Sequence, residues 1–306
     1  MSLSRERLLA WVEAHISLCE GLDVLRNDCD IIEFLLDNCE IEIPECNRFF
    51  VKVNCIGIAD TVISKRRKRI RGLIDARFRD GVEALAYTGY CDYSHTTAEW
   101  ESVIGLGIYG LRKRIAEYAQ NNTEKEKARE FYVQVMRVYD AALRFIGRAS
   151  DKAASCGRSE MAAALLRLTK DAPSNLFEAF QTSIIYYFLQ HFFDGTYLRT
   201  MGRLDRIYYP YYMQEDKAYA DKLLLDYVKE IDGLDAPSNI PFALGGSDAD
   251  GRDLVNELSY IWLDTYKKAE TVNTKLHLLC SEHTPEDIVK KAFQYIREGN
   301  NSIVFM

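Results

Sequence analysis

The sequence is poor in proline and lacks the short motifs that mark common metal and cofactor sites. It has six Pro in 306 residues, and long stretches carry apolar residues at the i, i+3, i+4 spacing of helices. Its eight Cys form no C-x-x-C pair, so we expect neither zinc nor an iron–sulfur cluster. Walker, nucleophile-elbow and H-E-x-x-H motifs are also missing. The residues alone therefore show no complete catalytic constellation.

Long hydrophobic runs and an excess of positive charge are lacking too. No apolar run approaches the ~20 residues that cross a bilayer, and residues 1–11 contain no apolar core of a secretory signal. The net charge of -7 argues against nucleic acid and anionic membranes as partners. We therefore expect a cytoplasmic protein whose reduced thiols mostly pack as small hydrophobic groups.

Three local patterns match known motifs only in part. Residues 105–110 read G-x-G-x-x-G, but a dinucleotide fingerprint follows a strand and the residues from 98 onward have a helical pattern. We interpret these glycines as positions where another backbone approaches a helix. Residues 248–259 begin like a calcium loop and lack its final acidic ligand, which predicts a Gly/Asp turn. The basic run 65–71 is interpreted as a solvated helix face or a face that meets an acidic partner.

The order of the predicted elements indicates an α/β fold class in the second half of the chain. Strand-like segments at 240–244, 276–280 and 302–305 are separated by helical patterns at 255–269 and 285–297. Strands that alternate with helices of this length imply parallel β-α-β units.

Helical patterns fill the first half. Residues 124–168 are rich in Ala, Arg, Glu and Leu, which predicts one long helical stretch. A further helix is expected to begin near Ser174, with that hydroxyl as its N-cap. We divide the chain into a helical N-terminal part, 1–170, and the start of an α/β barrel or sheet, 171–306. Because the last residues form a strand-like run, we expect a truncated chain.

Several segments resemble one enzyme family. Residues 173–181, P-S-N-L-F-E-A-F-Q, resemble the P-x-T-F-x-E-A-L-Q helix of glycyl radical enzymes of the pyruvate formate-lyase class. Residues 201–212, M-G-R-L-D-R-I-Y-Y-P-Y-Y, are similar to that family's G-R-x-D-Q-Y-L-Y-P-Y-Y segment. Weaker matches lie at 93–107, 245–259 and 284–305. The resemblance is loose before residue 90 and firm after residue 170.

The resemblance implies a fold and a radical chemistry. These enzymes fold as a ten-stranded α/β barrel of two half-barrels within a helical shell, so we expect a parallel half-barrel of at most five strands, all in the C-terminal half of this chain. An activating enzyme that uses S-adenosylmethionine and an iron–sulfur cluster converts a C-terminal glycine to a radical. That radical takes hydrogen from a cysteine on a central loop. In the family both residues lie beyond the position of Met306, so we expect no catalytic residue, no bound cofactor and no activity in this chain.

The function that the resemblance implies is that of a lyase, dehydratase or formate C-acetyltransferase-like enzyme. Such enzymes break C–C, C–N or C–O bonds of a small-molecule substrate through a thiyl radical, and a homodimer is expected. The alternative is a stand-alone binding or scaffolding module descended from such an enzyme. A third reading is a helical nucleotide-binding protein that uses Gly105, Gly107 and Gly110.

Four residues are predicted to bind substrate from the resemblance: His95 and Thr200 match positions that line the family's substrate cavity or lie near it, and Arg203 and Asp205 lie next to the cavity strand. His95 suits a hydrogen bond to a substrate hydroxyl or carboxylate, and a helix-capping or core histidine is the alternative. For Arg203 and Asp205 the alternative is a structural, bidentate ion pair with each other.

Three departures from the family pattern leave the substrate class open. Arg206 stands where the family has Gln, and Thr274 and Leu279 stand where the family's P-x-L-x-L-R strand has Pro and Arg.

Overall fold

The computed structural model describes residues 2–18, 24–49, 51–58, 72, 76–84, 96–122, 126–194, 199–234, 240–300 and 302–306. Helices account for most of this part of the chain. In chain order they are α1 Arg5–Leu18, α2 Val24–Asn38, α3 Arg79–Glu83, α4 Trp100–Asn121, α5 Glu126–Ser155, α6 Ser159–Leu168, α7 Leu176–Asp194, α8 Leu204–Ile207, α9 Tyr209–Tyr212, α10 Lys217–Asp232, α11 Glu257–Ala269 and α12 Glu286–Arg297. The strands are β1 Ile41–Glu42, β2 Lys52–Val53, β3 Thr96–Thr97, β4 Arg199–Thr200, β5 Ile240–Gly245, β6 Thr274–Leu279 and β7 Ile303–Phe305.

The longest helix, α5, is amphipathic and packs against α2 and α6. Its buried residues recur three or four positions apart, as at Val138, Ala141 and Phe145, which turns one apolar stripe toward the core. On its polar side Arg144 bonds Glu33 of α2 at 2.9 Å. Helix and core are therefore joined by apolar packing, with ion pairs at the rim.

The predicted helical stretch is confirmed over the described residues 126–168, and it consists of two helices, α5 and α6. Gly157 adopts φ +73°, and the Arg158 N–H reaches back to the Ala153 carbonyl at 2.9 Å. This is the hydrogen bond of a left-handed helix stop, for which glycine carries no Cβ penalty. The chain then reverses direction and α6 packs back on α5.

Helix α7 begins close to the predicted position but with a different cap. The Asn175 side chain, not Ser174, accepts a hydrogen bond from the Glu178 N–H at 2.9 Å. Ser174 instead donates its hydroxyl to the Glu178 carboxylate at 2.9 Å. Both residues therefore stabilise the first turn of the helix, Asn175 as a hydrogen-bond acceptor and Ser174 as a donor.

The G-x-G-x-x-G segment lies inside helix α4, which bends at Gly107. This residue has φ +64° and ψ 175°, and a Cβ there would lie 3.2 Å from Ala172 Cα and Pro173 Cδ. The backbone before α7 thus approaches the helix closely at this residue, as predicted. Gly105 has no such neighbour within 4 Å, so the prediction holds for Gly107 alone.

Two groups of parallel strands, β3-β4 and β5-β6-β7, are joined by backbone hydrogen bonds into one ladder in the order β3-β4-β5-β6-β7. β3 pairs with β4, β5 with β6 and β6 with β7, all parallel. Between β4 and β5 the Met201 N–H donates to the Pro241 carbonyl at 2.9 Å and the Ala243 N–H to the Gly202 carbonyl at 3.0 Å. The three predicted strands are confirmed and their parallel pairing with them.

The expectation that all parallel strands lie in the C-terminal half was wrong, because β3 at Thr96–Thr97 comes from the first half. Strands β3 and β4 have two residues each, too few for an alternating pattern to show. The division at residue 170 stays a prediction. Among the described residues one continuous hydrophobic cluster extends from Leu8 to Ile303.

Aromatic rings fill the space between β5 and the helices behind it. Phe180 of α7 stacks on Tyr227 of α10 with ring centroids 4.2 Å apart, and Phe242 of β5 stacks on the same tyrosine at 6.4 Å. Trp262 of α11 lies 6.0 Å from Phe180. Every one of these side chains is almost fully buried. This packing fixes which face of the sheet is covered.

Candidate functional site

Within the described residues, the three-stranded parallel sheet β5-β6-β7 has one buried face and one face whose side chains are half-buried or exposed. In β5 and β6 burial alternates: Phe242, Leu276 and Leu278 are buried, while Ala243 and His277 are half-buried. Successive side chains of a strand point to opposite sides. We call the second side the open face; its members are Pro241, Ala243, Lys275, His277, Leu279 and Val304.

A row of four paired residues crosses the open face. Arg203 forms a parallel bridge with Ala243, Ala243 pairs with His277, and His277 pairs with Val304. Neighbouring strands lie about 4.8 Å apart, so Arg203 and His277 stand about 10 Å apart on either side of a small alanine.

His277 was missed by the sequence analysis. Partial burial lowers the pKa of its imidazole below the ordinary value, because a buried ring loses hydration of its charged form. Within the described residues neither ring nitrogen has a hydrogen-bond partner. The signal that identifies it is its position in T-K-L-H-L-L, where Lys275 and His277 alternate with buried leucines. A neutral imidazole can both donate and accept a hydrogen bond.

Arg203 supplies a permanent positive charge at the other end of the row. Its guanidinium Cζ lies 3.6 Å from the position that a Cβ on Gly246 would take, so the glycine leaves room for it. No hydrogen bond or ion pair engages the guanidinium within the described parts of the chain. A planar, charged and unpaired guanidinium is suited to a carboxylate or another oxyanion.

Thr200 is half-buried and its hydroxyl is occupied by the backbone. It donates to the Pro241 carbonyl at 3.1 Å and accepts from the Gly202 N–H at 3.2 Å. These bonds tie β4 to β5 at the edge of the open face. The Thr200 carbonyl also accepts from the Trp100 indole at 2.9 Å, which anchors helix α4 beside the ladder.

Asp205 is fully buried behind the turn that follows β5. Its Oδ2 accepts from the Gly245 N–H at 2.7 Å and from the Ser259 hydroxyl at 2.5 Å, while Oδ1 has no partner. Burial raises the pKa of the carboxyl, although Ser259, Gly245 and Arg203 act in the opposite direction. The predicted alternative of a bidentate pair with Arg203 was wrong, because the carboxylate bonds Gly245 and Ser259 instead.

The turn after β5 is held from both sides. The Asn256 side chain donates to the Asp205 carbonyl at 3.0 Å and accepts from the Leu258 N–H at 2.9 Å. With Ser259 it forms a reciprocal capping box that starts helix α11. Asp205 therefore positions Gly245 and Gly246, next to the Arg203 guanidinium. The Gly/Asp turn is confirmed, and the helix begins a few residues later than expected.

Two predicted features lie outside the described residues. His95 directly precedes β3 but is not among them, and the basic run 65–71 is also outside. The structure therefore brings together Thr200, Arg203 and Asp205 of the four predicted site residues.

Metal and membrane features were searched over the described ranges. There, no group of three or more His, Cys, Asp or Glu side chains is arranged to hold a metal ion. Nor does any described helix combine the length and the apolar character that crossing a bilayer demands.

Comparison with known proteins gives one family and several relatives. A family model described as pyruvate formate lyase-like matches residues 62–306. A trans-4-hydroxy-L-proline dehydratase from Clostridioides difficile is 27% identical over 152 residues, which cover 42% of this chain and 19% of the relative. An isethionate sulfite-lyase from Bilophila wadsworthia is 26% identical over 243 residues, covering 66% of this chain and 29% of the relative.

Solved structures share the fold at low sequence identity. A glycyl radical enzyme from Archaeoglobus fulgidus superposes with a TM-score of 0.79 at 16% identity, over 99% of this chain and 49% of the other. The B12-independent glycerol dehydratase from Clostridium butyricum gives a TM-score of 0.74 at 16% identity, over 97% of this chain and 47% of the other. The chain thus spans about half the length of these structures, and its alignments cover less than a third of the curated relatives.

Proposed function

Because the chain belongs to the pyruvate formate lyase-like family of glycyl radical enzymes, we propose that it forms one half-barrel of a lyase or dehydratase acting on a small anionic substrate. The observation that carries this proposal is the row from Arg203 to Val304 across the open face of five parallel segments. A ten-stranded barrel of two half-barrels turns such a face inward, where water is excluded and a radical survives.

The chemistry of the open face supports the substrate class. Arg203 and Lys275 carry positive charge, and the described residues in the rows of the ladder include no carboxylate. A substrate carboxylate or sulfonate would pair with Arg203. Because Arg203 and His277 stand about 10 Å apart, a hydroxyl of the same substrate would bond His277 directly or through a water molecule. Asp205 acts on substrate only through the Gly245–Gly246 turn that it positions.

The radical chemistry is assigned to residues outside this sequence. A protein glycyl radical, installed by an S-adenosylmethionine-dependent activating enzyme, supplies hydrogen-atom abstraction through a cysteine. Both curated relatives carry the name of a dehydratase or a lyase, which favours elimination over acyl transfer. The activating enzyme and a second copy of the chain are the proposed protein partners.

The experiment begins with the complete reading frame that contains these residues. We expect it to encode a cysteine loop and a glycine loop, and the purified protein to show a glycyl radical by electron paramagnetic resonance after activation. A frame without either loop, or an activated protein that stays silent in the spectrum, overturns the enzyme proposal and favours the stand-alone binding module.

Substrate assignment uses matched variants in that complete protein. Arg203→Lys is expected to raise KM for anionic substrates at least about tenfold, because the bidentate contact is lost, while Arg206→Lys, at an exposed position, leaves KM unchanged. His277→Gln is expected to lower turnover more than exposed His283→Gln. If the two arginine variants change KM equally, or the two histidine variants change turnover equally, the open face is not the substrate-binding surface.

A further inference from the structure

Two buried cysteines face each other at the open end of the N-terminal hairpin. Strands β1 and β2 pair antiparallel with Ile41 opposite Val53. Two positions further out, the same register places Cys39 opposite Cys55. Both side chains are completely buried, and both were expected only to fill space.

Hydrogen bonds between Glu40 and Asn54 extend the hairpin by one further pair towards the two cysteines. The Asn54 N–H donates to the Glu40 carbonyl at 3.3 Å, and the Glu40 N–H donates to the Asn54 Oδ1 at 2.9 Å. In antiparallel pairs, hydrogen-bonded positions alternate with closer, non-hydrogen-bonded ones. Extended by one position, this register gives Cys39 and Cys55 the closer type of pair, for which Cα atoms about 4.5 Å apart are expected, inside the range of about 4.4–6.8 Å that a disulfide spans.

The two thiols interact and are chemically unequal. A hydrogen bond from Cys55 lowers the pKa of Cys39, burial opposes that shift, and Arg148 lowers it further. Burial is the main cause that raises the pKa of Cys55. Arg148 also donates to the Cys39 carbonyl, which keeps its charge beside this thiol. Cys39 is thus the better nucleophile and Cys55 the resolving thiol.

We propose that Cys39 and Cys55 form an oxidation site that hydrogen peroxide converts into an intramolecular disulfide. The Cys39 thiolate attacks one peroxide oxygen, forming an S–O bond and breaking the O–O bond, and the departing hydroxide takes a proton to become water. Cys55 sulfur then attacks the Cys39 sulfenic sulfur. An S–S bond forms, the S–O bond breaks, and the second hydroxide leaves as water with the Cys55 proton.

Another buried cysteine provides an internal comparison. Cys29 is also buried, and burial raises the pKa of its thiol to about 11. It has no thiol neighbour within the described residues, so it is expected to stay reduced. Cys46 is exposed and lies in the same hairpin, which makes it the competing thiol to exclude.

The disulfide closes a loop that is attached to the helices behind the sheet. Within the loop the Phe49 N–H donates to Glu230 of α10 at 2.9 Å, and its carbonyl accepts from Gln181 of α7 at 2.6 Å. The disulfide would therefore link the loop segment that contacts α7 and α10 to the end of helix α2. A closed loop of about 15 residues is expected to raise Tm by roughly 5 °C.

The test treats the 306-residue chain with hydrogen peroxide, alkylates remaining thiols under denaturing conditions and maps the peptides by mass spectrometry. We expect a linked Cys39–Cys55 peptide that is lighter by two hydrogen atoms, with Cys29 alkylated. Since both thiols are buried, the linkage is expected to form faster in urea below the unfolding transition, where the short hairpin opens locally.

Two variants separate this pair from its competitor. Cys46→Ser is expected to leave the linkage unchanged, and Cys55→Ser to leave a sulfenic acid on Cys39 that a dimedone probe captures. Full alkylation of both thiols after peroxide, or a linkage that uses Cys46 in place of either partner, overturns the proposal. The wild-type map decides this even where a variant fails to fold.

Discussion

The buried carboxylate of Asp205 accepts a hydrogen bond from the hydroxyl of Ser259 at 2.5 Å. These residues belong to helices α8 and α11, which precede and follow strand β5 in the sequence. The same oxygen accepts the Gly245 N–H, so one carboxylate joins two helix starts to the end of a strand. The Arg203 guanidinium lies over the next residue of that turn, which connects a structural contact to the open face.

Removing the Asp205 carboxylate is expected to lower the free energy of unfolding, whereas replacing it with a neutral amide is expected to have a smaller effect. Asp205→Ala leaves the Gly245 N–H and the Ser259 hydroxyl buried without a partner and is expected to cost about 3 kcal/mol in the free energy of unfolding. Asp205→Asn retains an acceptor oxygen and removes the charge. Urea unfolding of both variants measures the difference; an equal loss in both contradicts this role.

The pH dependence of that pair follows from the raised pKa of Asp205. The folded state holds the proton to a higher pH than the unfolded chain does, so the associated stability is present in acid and is lost as pH rises through the folded-state pKa. Wild type is therefore expected to lose stability relative to Asp205→Asn as pH rises above about 4. A difference that is independent of pH removes this explanation.

The bend at Gly107 gives a paired prediction on one helix. Gly107→Ala places a Cβ at 3.2 Å from Ala172 Cα and from Pro173 Cδ, at positive φ, and is expected to destabilise the protein by about 1–3 kcal/mol. Gly105→Ala, in regular helix with open space around it, is expected to stabilise by about 0.5–1 kcal/mol. Thermal unfolding of the two variants should move Tm in opposite directions; shifts of the same sign contradict the close approach.

The lowered pKa of Glu178 predicts that the protein loses stability in acid. Burial raises the pKa of its carboxyl, but hydrogen bonds from Arg167 and Ser174 outweigh burial and lower the pKa overall. The associated stability is present above the unfolded-state pKa and is lost as pH falls through the folded-state value. Unfolding titrations from about pH 5 downward should show a flatter acid limb for Glu178→Gln than for wild type. Exposed Glu286→Gln is the control and should follow wild type.

His277 is expected to titrate below an ordinary histidine. Because burial lowers the pKa of its imidazole, the folded state binds this proton less readily than the unfolded chain. The associated stability is present above about pH 6.5 and is lost as pH falls. NMR titration of the ring should place its midpoint below that of the same histidine in the urea-unfolded chain. Coincident titration curves would show that the open face is fully hydrated.

The sequence predicted the sheet better than the site. Strands β5, β6 and β7 are apolar runs bounded by turn residues, and their parallel pairing follows from the helices between them. β3 and β4 were missed because two residues carry no periodicity. The break at Gly157 was missed because propensity alone does not show where a left-handed stop falls.

The site was only partly predictable for a related reason. Arg203 and His277 are 74 positions apart by number, and only the register through Ala243 makes them neighbours on one face. Asp205 was found by resemblance, but its bonds to Gly245 and Ser259 depend on the packing of α8 and α11. Hydrogen-bond partners distant in sequence have no local signature.

The position of a bound substrate in the complete protein tests the central claim most directly. We predict that a crystal structure with a carboxylate or sulfonate substrate places its acidic group within hydrogen-bond distance of Arg203, on the side of the sheet that also presents His277. A substrate bound on the helix-covered side of β5, or one that contacts neither residue, contradicts the account.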